Sequence, residues 1–165
     1  MKNIICNKKI NIFENQILQK LEESKIALCF NKKLEYTLVV NQEDLINDFG
    51  DSLTFSKRKT IGGFCSSSEN ITSKIEIWEK YRREAFPHEI GHFIHYNLPN
   101  PLKEKIQNHF NLIKDTPKLY DWDRENVNEY FADSFKYFII NDSKNMRMKD
   151  PILYGILSSL FNPLK

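Results

Sequence analysis

Cysteine is scarce in this chain of 165 residues: Cys6, Cys29 and Cys65 are odd in number and show no CxxC spacing. Neither a disulfide framework nor a cysteine-built zinc site is therefore expected. Long apolar runs are missing too. No stretch approaches 18 apolar residues, and Met1 to Lys9 is too polar for the apolar core of a signal peptide. The expectation is a cytoplasmic protein with no membrane partner; export by another route or trimming to a mature form are the alternatives. An excess of one charge is also absent, because the net charge is +2 with 28% charged residues, basic and acidic residues being interspersed. No nucleic-acid partner is expected from such a pattern. Histidine numbers only four, which gives weight to where those four fall.

What is present suffices for a core. With 41% hydrophobic and 13% aromatic residues, positions 1–165 read as a single monomeric domain. About residues 1–80 form a sheet-containing part and about 81–165 a helical part. Asn11 to Glu23 has helical apolar spacing, and β-like runs follow at Ile26–Phe30, Leu34–Val40, Leu53–Ser56 and Thr60–Cys65, interrupted by a short helical segment near Glu43–Phe49. Gly62-Gly63 reads as a strand end, Ser66–Asn70 as a loop, and Ser73–Trp78 as an edge strand. Helices are expected from near Phe86, with Pro87 in the first turn, then over Pro101–Lys114, Asp123–Ile140 and Pro151–Phe161. The fold class is α+β, a small mixed sheet packed on helices.

Residues 88 to 92 read His88-Glu89-Ile90-Gly91-His92, an HExxH motif. Side chains four apart lie one turn above the other on a helix, so His88 and His92 can offer imidazole nitrogens to one metal ion. Glu89 remains free to take a proton from water. Apolar flanks, Ala85-Phe86 and Phe93-Ile94, place this helix in the interior, where imidazoles and a carboxylate need partners. A third ligand is expected from Glu129. Asp133, again four apart, would accept the N–H of a bound imidazole, most naturally that of His88. Tyr130, Phe131, Phe135, Tyr137 and Phe138 make that segment apolar on most sides, which argues against a merely solvated carboxylate pair. His95 is expected to be a packed or hydrogen-bonded histidine and His109 an exposed one. An HExGHxxxH pattern is absent, since position 96 is Tyr96, and no later histidine has the spacing of a metzincin third ligand.

HEIGH with a downstream glutamate inside NEYFADSF resembles the gluzincin arrangement, and its aromatic-rich form is most similar to the lethal factor catalytic domain and the Pro-Pro endopeptidases related to it. The resemblance spans about residues 50 to 140 and rests on the two motifs. It implies zinc (Zn2+) on His88, His92 and Glu129, Glu89 as general base, and Asp133 behind the ligands. Such enzymes use a tyrosine about two helical turns before the third ligand to bind the developing oxyanion. Here Trp122 stands seven before Glu129, and Tyr120 is the nearest tyrosine, hence the candidate for that role.

The expected function is a zinc-dependent endopeptidase acting on a peptide or protein substrate, with residues 66 to 78 as the substrate-binding segment. Two other readings stand beside it. An ImmA-like regulatory protease that cleaves a repressor shares HExGH, but the aromatic block and the absence of a helix-turn-helix segment count against it. A catalytically inactive, metal-stabilised binding module fits the missing tyrosine but not the retained Glu89.

Overall fold

The computed structural model describes residues 4–26, 33–39, 63–67, 72–115, 126–140 and 143–161. A short strand, β1 (Ile4–Cys6), leads into helix α1 (Ile12–Glu22). Asn11 starts that helix with a capping box: its side chain accepts the Glu14 N–H at 2.9 Å, and the Glu14 carboxylate accepts the Asn11 N–H at 2.9 Å. Strands β2 (Lys33–Val39), β3 (Gly63–Ser67) and β4 (Thr72–Trp78) complete a four-stranded sheet in the order β1-β2-β4-β3. β1 and β2 run parallel, as do β2 and β4, while β3 is antiparallel to β4. This is a mixed sheet within an α+β fold.

The register explains the core. Tyr36 pairs with Ile75, Leu38 with Ile77 and Cys65 with Ile75, so alternate residues of three strands face one side, and all five are buried. Helix α2 (Arg82–Asn97) packs on β3 and β4 and along helix α4 (Val127–Ile139). Phe86 of α2 meets the Tyr36 ring at 5.0 Å between centroids. Helices α3 (Asn100–Ile113), α5 (Ser143–Lys149) and α6 (Pro151–Phe161) finish the helical layer. No helix among the described residues is long and apolar enough to cross a membrane.

Several expectations are corrected. Ser73–Trp78 is not an edge strand, because β4 pairs on both sides; β3 lies at the end of the sheet. Gly63 opens that strand rather than ending one, and Ser66 and Ser67 belong to it. Ile26 falls in a short turn of 3-10 helix instead of a strand. The metal-motif helix begins four residues before Phe86, after a 3-10 turn at Glu79–Tyr81, so Pro87 sits inside it. Asn126 caps α4 through the N–H groups of Asn128 and Glu129, so that helix starts later than expected. His109 is buried, not exposed: its Nε2 bonds Asp150 Oδ1 at 2.9 Å, and Asp150 also accepts the Leu153 N–H at the start of α6 and the Tyr130 hydroxyl. One carboxylate thus ties three helices. The expected segments at Glu43–Phe49 and Leu53–Ser56 lie outside the described residues.

Candidate metal centre

Two positions without bulk bring the site together. A Cβ added at Gly91 would stand 2.7 Å from the Cα of Ala132 and 3.0 Å from its carbonyl oxygen, so α2 and α4 touch backbone to backbone there. Gly91 lies between His88 and His92, and Ala132 between Glu129 and Asp133. The contact therefore sets both imidazoles opposite both carboxylates.

Their polar atoms converge. His88 Nε2 is 3.0 Å from His92 Nε2 and 3.3 Å from Glu129 Oε2, and His92 Nε2 is 3.5 Å from Glu129 Oε1. Ligand atoms at metal bonds of 2.0–2.1 Å and tetrahedral angles stand about 3.4 Å apart, so the three fit one small ion and can hold it. Asp133 Oδ1 is 2.8 Å from His88 Nδ1, where it can accept the ring N–H while Nε2 faces His92 and Glu129. His92 Nδ1 has no such partner among the described residues; the His88 ring meets the His92 ring edge-on at 4.7 Å and Tyr96 stacks beside it at 6.1 Å.

The electrostatics favour positive charge at the centre. Burial alone would lower the His88 pKa, but hydrogen bonds from Asp133 and Glu129 outweigh it and carry it up to about 10. Burial would raise Glu129, and the two imidazoles instead hold its carboxyl well below the usual carboxylate range. A metal ion held there would replace that proton with more charge.

Glu89 lies beside the ligands, buried, and burial pushes its carboxyl up against the opposing pull of His88 and His92. Strand β3 comes close to it: a Cβ on Gly63 would stand 2.8 Å from both Cγ and Oε1 of Glu89. Tyr96 is half-buried, and its hydroxyl is pushed up to about 12 by burial first and then by the charges of Cys65, Glu129 and Glu89. His95 packs as expected, against Phe131 at 5.0 Å. It lines a cleft of about 530 Å³ with Lys103, Gln107 and Asn128.

The structure thus gathers His88, His92, Glu129, Asp133 and Glu89, while Tyr120 and Trp122 lie outside the described residues. Sequence reasoning passed over Gly63, Gly91 and Tyr96. A glycine inside a helix costs about 1 kcal/mol relative to alanine, so its place between two histidines was itself a sign of close packing. The chain matches no protein-family model, and no curated protein matches it.

Proposed function

We propose that this protein is a zinc-dependent endopeptidase. One observation carries the reading: two imidazole nitrogens lie 3.0 Å apart, with one or the other oxygen of the Glu129 carboxylate 3.3 and 3.5 Å from them, while Glu89 stands beside them. Two histidines and one carboxylate with a fourth position left open form the usual donor set of a hydrolytic zinc site. The likeness of HEIGH and NEYFADSF to gluzincins of the lethal factor and Pro-Pro endopeptidase kind supports the same assignment.

Zinc held by His88, His92 and Glu129 would supply a water whose pKa is lowered toward about 7 and a Lewis acid for the scissile carbonyl. Glu89 accepts the proton of the attacking water and delivers it to the leaving amine nitrogen, so that one peptide bond and one water become a carboxylic acid and an amine. Burial, by raising the Glu89 carboxyl, makes it the better base. Asp133 keeps His88 in the tautomer whose Nε2 faces the ion. An extended substrate has a docking edge in β3, whose second edge pairs with no strand among the described residues. Gly63 brings that edge against Glu89.

Mass-spectrometric profiling of a diverse peptide library tests the proposal. Zinc-loaded protein cleaves; Glu89→Gln keeps its zinc and loses activity by about 100-fold or more; Glu129→Ala loses the zinc. A Glu89→Gln variant with full activity would sink the assignment.

A further inference from the structure

We propose that Gly63 is a positioning residue for the general base: its bare α-carbon leaves the space in which the Glu89 carboxylate is seated; this rests on the hydrolase reading above. Helix α2 meets different neighbours through its different side chains. His88 and His92 face Glu129 on α4, whereas Glu89 reaches the start of β3. There the three atoms nearest to a Cβ built on Gly63 all belong to Glu89, with Cγ and Oε1 at 2.8 Å and Cδ at 3.1 Å. The carboxylate therefore fills the volume that any other residue's side chain would take. Gly63 pairs with Ile77 in the strand ladder, where the backbone conformation is one that every residue adopts. Glycine is needed at this position for space and not for its torsion angles.

The collision a side chain would cause at position 63 is with side-chain atoms of Glu89, so it is relieved by turning that side chain. Gly91 differs, since a Cβ there meets backbone of Ala132 that cannot turn aside. The two glycines thus act on different groups: the one at 91 sets the ligands, and the one at 63 sets the base. A proton acceptor must stand within hydrogen-bond reach of the water it deprotonates, and a displacement of about 1 Å can slow a reaction about 100-fold.

Gly63→Ala is the test, with kinetics on a cleaved peptide and zinc content measured together. Zinc content stays at the parental value, kcat falls by about 10–100-fold and KM changes by less than about threefold. Gly155→Ala, where a Cβ meets nothing within 4 Å, keeps parental kcat. In a Glu89→Gln background no base is left to displace, so adding Gly63→Ala changes the residual rate by less than about threefold. A Gly63→Ala variant with kcat within about threefold of the parent overturns the inference, as does a loss of zinc, a rise in KM at constant kcat, or an equal further fall in the Glu89→Gln background. A second measurement depends on neither hydrolysis nor zinc: the thermal midpoint of chelator-treated protein. Alanine is favoured over glycine within a strand, so Gly63→Ala raises the midpoint by about 1–4 °C in a Glu89→Ala background and falls short of that rise by about 2 °C or more in the parent, where the two side chains collide. Equal shifts in the two backgrounds overturn the role. A parent that holds zinc yet cleaves nothing defeats the peptidase reading, while the midpoint comparison still decides for or against Gly63 as the seat of Glu89.

Discussion

A histidine kept neutral inside a protein makes stability depend on pH, and His95 is such a residue. It is 5% exposed, and burial lowers its pKa from 6.5 to about 4 against the opposing effect of a hydrogen bond with Asn128, with Lys103 and His92 adding to the fall. The unfolded chain takes up a proton as pH falls below about 6.5, whereas the folded chain resists until about 4. The stability tied to this residue is therefore fully present above pH 6.5 and is lost as pH falls through that window. At 1.36 kcal/mol per unit, the loss between pH 7 and pH 4.5 is about 2–3 kcal/mol. His88 and Glu129 titrate as well, so the readout is a difference. Urea unfolding of chelator-treated protein at those two pH values should show the parental loss reduced by about that amount in His95→Leu. An unchanged pH dependence in the variant would mean that His95 does not stay neutral in the fold.

Between elements, the decisive contact is that of α2 with α4 at Gly91 and Ala132. Alanine at 91 would raise intrinsic helix propensity by about 1 kcal/mol, yet its Cβ meets backbone atoms that no rotamer change can move aside. The expected result of Gly91→Ala is a net loss of about 1–3 kcal/mol from overpacking, together with loss of metal as the imidazoles withdraw from Glu129. Gly155 in α6 is the control, since nothing lies within 4 Å of a Cβ there and alanine should stabilise by about 0.5–1 kcal/mol. Denaturant midpoints and metal content of the two variants give opposite signs if the close approach is what matters. The sequence showed which faces these helices present but not how near they come. Helical spacing and capping residues revealed α1, α3 and α6 almost to their ends, and spacing four apart pointed to His88 and His92 and to Glu129 and Asp133, which the fold brings together. Strand order was not legible, because the alternation at Ser73–Trp78 reports which side chains share a face and not which strands lie alongside, and β4 pairs on both sides. His109 misled for a similar reason: local polarity on α3 carried no trace of Asp150, 41 residues away, which buries it.

Across the whole molecule, α2 is fixed at both ends by groups distant in sequence. Near its start Arg82 pairs with Glu14, a fully buried carboxylate that also accepts the Tyr36 hydroxyl at 2.6 Å and so joins α1, β2 and α2. Farther along, His88 and His92 face Glu129, which joins α2 to α4. Among the described residues, the second tie is the one whose groups could hold a metal ion, and a divalent charge would draw together two imidazoles whose nitrogens otherwise face each other at 3.0 Å. A ligand that binds the folded chain alone stabilises it by about 4 kcal/mol at a thousandfold excess over its dissociation constant. For a chain of 165 residues each kcal/mol moves the melting temperature by about 2–4 °C, so saturating zinc should raise it by about 8–16 °C over chelator-treated protein. Glu129→Ala should abolish most of that rise, and Glu89→Gln, which removes no ligand, should retain it. A melting temperature indifferent to zinc in the parent, or an equal rise in Glu129→Ala, would show that the ion does not clasp α2 to α4.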